Sequence, residues 1–245
     1  MKIIVIIQAR MGSTRLPGKV MKDLYGKSVL AHEIERVKQS KIIDDIVIAT
    51  STHNKDDIIE KEALYIGVKC YRGSEDDVLS RYYYAAKENH ADVVIRITSD
   101  CPLIDPNVLN EMIQFYNCNK YDIVTNGGSD LSKRTYPRGL DIEIFNFKVL
   151  QEAFLNATEK YRREHVTPYI YENTEKIYYY QNSIDYSKYR WTLDTEEDWK
   201  LIETIYGYLY KGNHDFYLDH ILELMNKYPE LYEINKDIEQ KKLKS

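Results

Sequence analysis

Three cations, Arg10, Arg15 and Lys19, fall within ten residues of one another, in the segment from Gln8 to Lys19. Gly12 and Gly18 permit close backbone approach and positive φ there, while Ser13 and Thr14 add hydroxyl and amide donors. The guest that suits such a loop is a triphosphate. Two familiar phosphate loops fail on spacing. Five residues separate Gly12 from Gly18, Val20 stands where a P-loop needs Ser or Thr to hold Mg²⁺, and no Gly-x-Gly-x-x-Gly turn occurs. A merely basic surface loop is the plainer reading, but three cations directly after the first apolar run argue against it.

Carboxylates able to meet that triphosphate lie far away in the chain. Asp100 follows the apolar run Val93 to Ile97, and Asp194 opens an acidic cluster ending at Asp198, directly after Tyr189 to Leu193. Two carboxylates from separate strand ends can share one Mg²⁺, which takes a few oxygen ligands and completes its shell with phosphate and water. The second cluster also reads as a helix start, with Asp194 or Thr195 as N-cap and Glu197 or Asp198 in the first turn. Both readings hold together if Asp194 faces the ion. Asp105 reads as the cap of a helix beginning at Pro106. Cys101, with no His nearby in sequence and no covalent intermediate to form, is not expected to be a nucleophile.

The elements that must position these residues follow from periodicity. Apolar, β-rich runs at Ile3 to Ile7, Ile46 to Ala49, Val68 to Tyr71, Val93 to Ile97 and Ile123 to Val124 alternate with helix-period segments at Val29 to Gln39, Lys55 to Ile66, Glu75 to Asn89 and Pro106 to Tyr116. This βαβ rhythm predicts an α/β protein of Rossmann-like type, with a mixed, mostly parallel sheet and helices on both faces. The loop after the first strand then sits on the sheet edge where open α/β sheets bind ligands. Beyond Asn126 the rhythm changes. Strands are expected at Leu140 to Phe145, Lys176 to Gln181 and Tyr189 to Leu193, and helices near Lys148 to Asn156, Arg162 to Tyr171 and on to the end. The Lys-rich segment 236–245 reads as a fraying, solvated end.

Composition narrows the classes. The 245 residues suit one domain, with a nucleotide-binding half at about 1–126 and an acceptor and dimerisation half at about 127–245. No apolar run approaches the roughly 18 residues of a membrane span, and Ile3 to Ile7 is too short for a signal-peptide core, so a cytoplasmic protein is expected. Three unclustered cysteines exclude a disulfide framework and a structural zinc site. A net charge of −5 lacks the broad basic field of a nucleic-acid binder, which leaves a small-molecule partner. The 23 tyrosines, against 5 Phe and 2 Trp, are better explained by half-buried packing than by base-stacking platforms.

With these residues in view, the chain resembles the acylneuraminate and Kdo cytidylyltransferases, and among them the spore-coat polysaccharide protein F branch. The likeness rests on Ala9-Arg10, Gly12 and Arg15 to Lys19. It continues through Ser28 to Arg36, Ile48 to Thr50, Arg72 to Arg81, Thr98 to Pro106, Gly139 to Phe145, Arg163 to Tyr169 and Arg190 to Asp198. The resemblance implies a nucleotidyltransferase that uses CTP, frequently as a homodimer. It also implies magnesium held by Asp100 and Asp194, and an acceptor activated as its CMP conjugate with release of pyrophosphate.

On that reading Arg15 and Lys19 hold the β- and γ-phosphates, beside Ala9, Arg10, Gly12, Ser13, Thr14 and Ser99. Thr50, Arg72, Ser80 and Arg81 are candidates for the nucleotide base side, where Ser74 reads as an N-cap with Asp77 at the capping position. Candidates for the acceptor site, which awaits an acidic sugar or related small acid, are Arg138, Asp141, Glu143, His165 and Arg190. Asp141 and Glu143 alternate with apolar neighbours and would share one strand face, although an exposed antiparallel strand gives the same pattern. The competing functions are a nucleotide-sugar-dependent glycosyltransferase, which would need an Asp-x-Asp motif absent from this chain, and a non-catalytic nucleotide-binding domain.

Overall fold

The apolar run at the amino terminus becomes the middle of the sheet. In the computed structural model, which describes residues 1–240, β1 (Ile3–Gln8) has every residue from Ile3 to Ile7 buried, as a strand covered on both faces requires. A short hairpin of β2 (Asp23–Leu24) and β3 (Lys27–Ser28) follows, then α1 (Val29–Val37), β4 (Asp45–Ser51), α2 (Asp57–Ile66), β5 (Lys69–Gly73), α3 (Val78–Glu88), β6 (Val93–Thr98) and α4 (Pro106–Cys118). The second half adds β7 (Ile123–Thr125), β8 (Glu143–Asn146), α5 (Phe147–Asn156), α6 (Lys160–His165), α7 (Pro168–Asn173), β9 (Ile177–Tyr179), α8 (Glu196–Leu209), α9 (Leu218–Lys227) and α10 (Glu230–Glu233).

Seven strands form the expected mixed sheet, in the order β5-β4-β1-β6-β8-β7-β9. β8 runs antiparallel to both of its neighbours, and the other pairings are parallel. Alternation along the strands divides the core. Ile3, Val5, Ile7, Ile46, Ile48, Ile95 and Ile97 pack beneath α1, α2, α4, α8 and α9, while Ile4, Ile6, Val47, Ala49, Val94 and Phe145 pack beneath α3, α5 and α7. Each fully buried aliphatic side chain contributes about 1.5–3 kcal/mol. Tyrosines join these layers as core residues: Tyr83 stacks on Phe154 at 4.1 Å, and the Tyr82 hydroxyl donates to Ile6 and Ile97 carbonyls. Among the described residues no helix is long and apolar enough to cross a membrane.

Several boundaries differ from expectation for local reasons. The third helix begins at Val78 rather than Glu75, because Asp77 is its N-cap, accepting from Ser80 N at 2.9 Å. Ser74 instead accepts from Asp77 N at 3.2 Å. The helix expected over Arg162 to Tyr171 breaks in two where Val166 adopts φ 72° before Pro168. The strand expected from Leu140 starts only at Glu143. Tyr189 to Leu193 is extended but is not a strand of the sheet; it pairs with the 138 segment through an isolated parallel bridge between Arg138 and Arg190. Arg138 N donates to Tyr189 O at 3.0 Å and Trp191 N to Arg138 O at 2.6 Å. Gly139 makes this approach possible: it has φ 101°, and a Cβ there would lie 2.4 Å from the Trp191 carbonyl carbon.

The carboxyl-terminal segment is also more anchored than expected. As far as Gln240 it is docked, with the Gln240 side chain accepting from Arg190 Nη1 at 2.7 Å and Asn235 donating to Arg190 O at 2.9 Å. Residues 241–245 of the expected fraying end lie outside the described residues.

Candidate active site

Strand order fixes where the site forms. β4 and β5 lie to one side of β1 and β6 to the other, so the chain reverses direction between β1 and β6, the place where open α/β sheets leave a crevice. The loops after β1 and β6 leave that edge together, since Gln8 is in register with Thr98 and Ser99 N donates to Gln8 O at 3.1 Å. A surface cavity of about 330 Å³, lined by Met1, Tyr121, Asp122 and Asn146 among others, lies at the opposite edge of the sheet.

The loop after β1 is folded by its own polar groups. Ser13 N and Gly18 N both donate to Met11 O, at 2.9 and 3.2 Å, and Ser13 Oγ accepts from Leu16 N at 3.3 Å. Gly18 sits at φ 68° and turns the chain into a short 3-10 turn at Lys19–Met21. Asp56, buried in the 3-10 turn that precedes α2, accepts from Met11 N at 2.8 Å and from the hydroxyl of Ser51 at the end of β4, and so ties the loop to the neighbouring strand. The sequence gives no motif for Asp56.

Asp100 and Asp194 converge although 94 positions separate them. Lys19 Nζ lies 2.8 Å from Asp100 Oδ2 and 2.8 Å from Asp194 Oδ1. Asp194 Oδ2 is 2.9 Å from Arg15 Nη2 and 2.9 Å from Arg190 Nη2. Burial pushes the Asp100 carboxyl up, but the Lys19 ammonium outweighs it and holds it below the ordinary carboxylate range. Lys19 is drawn down by burial and lifted further by the two aspartates, so it stays charged. Cys101, next along, is buried, and burial followed by the charges of Asp100 and Glu33 raises its thiol well above the ordinary range. That suppresses the thiolate a nucleophile needs.

The two aspartates fit a hard divalent cation. An oxygen from each lies 2.8 Å from one point, so the two oxygens are at most twice that distance apart. Ligands across an Mg²⁺ ion stand about 4 Å apart, so a small closure suffices once the ammonium withdraws. Among the described residues no cluster of three or more Asp, Glu, His or Cys side chains is placed to hold a metal, which leaves the other positions to phosphate and water.

The remaining candidates divide by what already engages them. Arg72 is fully committed, to Asp57 at 2.6 Å, Glu60 at 2.8 Å and the carbonyls of Ser51 and His53. Ser80 donates to Asp77 O at 2.8 Å within its own helix cap. Arg81 is buried, with Nε and Nη1 lacking a partner, and Arg10 lies close enough to help burial lower its pKa. Arg10 itself is exposed, Ala9 is buried and pairs with Ala49 O, and the Thr50 hydroxyl is buried without a partner. Gly12 and Thr14 lie on the loop beside them, and a Cβ at Gly12 would meet Glu75 only at ordinary contact distance.

On the acceptor side the structure separates two residues expected to act together. Asp141 precedes β8, where it pairs with Arg134 and accepts from Gly139 N at 2.9 Å. Glu143 lies within β8, taken by Arg96 at 2.5 Å, Tyr171 at 2.5 Å and Thr167 at 3.0 Å. Shared strand parity does not unite them, because Asp141 is not in the strand. His165 ends α6. Arg190 is occupied by Asp194 and Asp198. The half-buried Arg138 side chain has no hydrogen bond or ion pair among the described residues, though Arg134, Asp141, Arg190 and Asp194 all lie within electrostatic reach.

The family model described as cytidylyltransferase matches residues 4–242. The chain belongs to the cytidylyltransferase family. It is 39% identical to an uncharacterized protein of Methanocaldococcus jannaschii, over 98% of this chain and 97% of that one. It is 38% identical to the spore coat polysaccharide biosynthesis protein SpsF of Bacillus subtilis, over 83% of this chain and 86% of that one. A solved cytidylyltransferase from Leptospira borgpetersenii superposes with a TM-score of 0.89 at 37% identity, covering 99% of this chain and 100% of that one. Membership of this family makes the chain a nucleotidyltransferase enzyme.

Proposed function

We propose that this cytidylyltransferase transfers CMP from CTP to an acidic sugar or related small acid, with release of pyrophosphate, in the building of a surface polysaccharide. The observation that carries the proposal is the Lys19 ammonium held 2.8 Å from both Asp100 and Asp194 at the mouth of a glycine- and cation-rich loop. A triphosphate and a cation account for that cluster of opposed charges.

The reaction forms a bond between an acceptor oxyanion and the α-phosphorus and breaks the bond to pyrophosphate in line with it. Little covalent chemistry is asked of the protein, so positioning and charge neutralisation dominate. Arg15 and Lys19 would turn from Asp194 and Asp100 onto the β- and γ-phosphates, where they stabilise the leaving pyrophosphate. Loop amides and Arg10 add donors to the same phosphates. Asp100 and Asp194 would hold Mg²⁺, which when bound neutralises phosphate charge and polarises the α-phosphate. Arg138, whose side chain has no hydrogen-bond or ion-pair partner among the described residues, would take the acceptor's carboxylate or phosphate. A homodimer in the cytoplasm completes the proposal.

The test is pyrophosphate release from each of the four nucleoside triphosphates, with a panel of sialic-acid-like, Kdo-like, sugar-phosphate and phosphonate acceptors. CTP with one acidic acceptor should stand clear of the rest. Faster release from UTP would move the chain to another nucleotide, and no release with any acceptor would favour a binding role.

A further inference from the structure

We propose that Lys19 makes the metal site selective for the metal–triphosphate complex and closes it to the free divalent cation. The inference rests on reading Asp100 and Asp194 as the metal-holding pair. It goes beyond that reading by giving Lys19 a role before nucleotide arrives.

The Lys19 ammonium sits at equal distances, 2.8 Å, from Asp100 Oδ2 and Asp194 Oδ1, the place a shared cation would take. Its side chain is 12% exposed, so it is lodged between the carboxylates rather than resting over them. The other oxygen of Asp194 is held by Arg15 and Arg190, each at 2.9 Å. A free cation therefore meets an aspartate whose two oxygens are both engaged by positive groups.

To enter alone, the cation must drive the ammonium off both Asp100 and Asp194, its side-chain partners among the described residues. It must also tolerate the ammonium and Arg15 as close positive neighbours, and that repulsion is strong at a poorly solvated site. A triphosphate changes both conditions, since its oxygens accept Lys19 and Arg15 as they leave the carboxylates, and its charge offsets the crowd of cations. The swap asks little of the fold. Lys19 stands at the head of a short 3-10 turn held by Gly18, so the backbone stays and a flexible four-carbon stem carries the ammonium across. Metal and nucleotide then bind with positive coupling, equal in either order by linkage.

The test uses manganese(II), counted by the electron paramagnetic resonance of the free ion, on the full chain with and without CTP, with the manganese bound by free CTP subtracted. Wild type is compared with Lys19→Met, which keeps the stem without the charge, with Lys19→Gln in case Met disturbs the fold, and with Lys19→Arg, which keeps the charge. Without nucleotide, the Met and Gln variants should bind manganese at least about tenfold more tightly than wild type, and Lys19→Arg should stay as weak as wild type. CTP should tighten manganese at least about tenfold more in wild type than in Lys19→Met. Equal affinity for the free ion in wild type, Met and Gln variants overturns the inference. If wild type with CTP still binds manganese in an Asp100-dependent way, the metal reading survives that failure. If Asp100→Asn leaves manganese binding unchanged in both wild type with CTP and Lys19→Met, the metal reading fails and the inference falls with it.

Discussion

Arg190 and Asp198 lie side-on in the interior, Nε 2.9 Å from Oδ1 and Nη2 3.0 Å from Oδ2, and this pair carries the loop that presents Asp194. Asp198 also accepts from the backbone N–H groups of Asp194 at 2.9 Å and Thr195 at 3.1 Å, and from Asn235 Nδ2 at 2.8 Å. The helix cap is therefore one part of a buried ionic brace, closed from behind by the carboxyl-terminal segment. Asp198→Ala should lower stability by about 3–5 kcal/mol, because it unpairs the buried Arg190 Nε and takes the acceptor from the Asp194 and Thr195 N–H groups and from Asn235. Turnover by the folded fraction should fall as well, since Arg190 Nη2 and the Asp194 N–H lose the group that aligns them. Urea unfolding checks the first outcome. Normal turnover by the folded protein would show that Asp194 is positioned by its own contacts alone.

Beneath Asp100 lies Glu33, fully buried on α1, whose Oε2 accepts from Cys101 N at 3.3 Å while Oε1 has no partner. Burial, and then the charge of Asp100, push its carboxyl well above the ordinary 4.5. The folded chain thus binds a proton that the unfolded chain releases. Glu33's contribution to stability is full below the unfolded pKa and is lost as pH rises towards the folded one. Glu33→Gln keeps an acceptor for Cys101 N and does not titrate. Its stability relative to wild type should therefore rise steadily between about pH 5 and pH 8. Urea midpoints across that range check the sign; a relative stability that stays flat or falls with pH would mean that Glu33 is ionised in the folded protein.

Arg138→Gln should raise the KM for the acceptor about tenfold or more, the loss expected for one charged hydrogen bond, while the KM for CTP stays within about twofold. The cause is that its side chain has no hydrogen bond or ion pair among the described residues and stands within electrostatic reach of Asp194. Steady-state kinetics with each substrate varied in turn separates the two. A matching rise in the KM for CTP would place Arg138 on the nucleotide.

What the sequence made legible was what local chemistry controls. The buried strand at Ile3, the loop from Gln8 to Lys19 and the caps at Asp105 and Thr195 all follow from patterns within about a dozen residues, whereas the pairing of Asp100 with Asp194 was expected from the family resemblance. Partners chosen by tertiary packing were not legible. Arg72 and Glu143 looked available because no neighbour in sequence claims them, yet Asp57 and Glu60 reach Arg72 from α2, and Arg96 and Tyr171 reach Glu143 from β6 and α7. Tyr189 to Leu193 has the composition of a strand, but the Gly139 approach lets it join the neighbouring loop through an isolated bridge. Asp56 and Glu33 act through backbone N–H groups of Met11 and Cys101, and such a link leaves no trace in residue type.

The two aspartates and the nearby Asp105 separate a metal role from a structural one. Asp100→Asn and Asp194→Asn should each remove most turnover while leaving a folded protein. Their combined effect should fall far short of the product of the two, because either loss already spoils a site that needs both anionic oxygens. Asp105→Asn should do the reverse. Asp105 Oδ1 caps α4 through Asn107 N at 2.7 Å and Val108 N at 3.2 Å, and Asn can replace that oxygen. Its Oδ2 accepts from Leu218 N at 2.6 Å, where an amide NH₂ would meet another donor. This buried conflict should cost about 1–3 kcal/mol of stability with kcat nearly unchanged. Manganese titration in the presence of CTP adds an independent readout: it should weaken in Asp100→Asn and Asp194→Asn but not in Asp105→Asn. Near-normal, chelator-sensitive turnover in Asp194→Asn would show that the second cluster is only a brace and a helix start, and Asp100 would have to hold the cation alone.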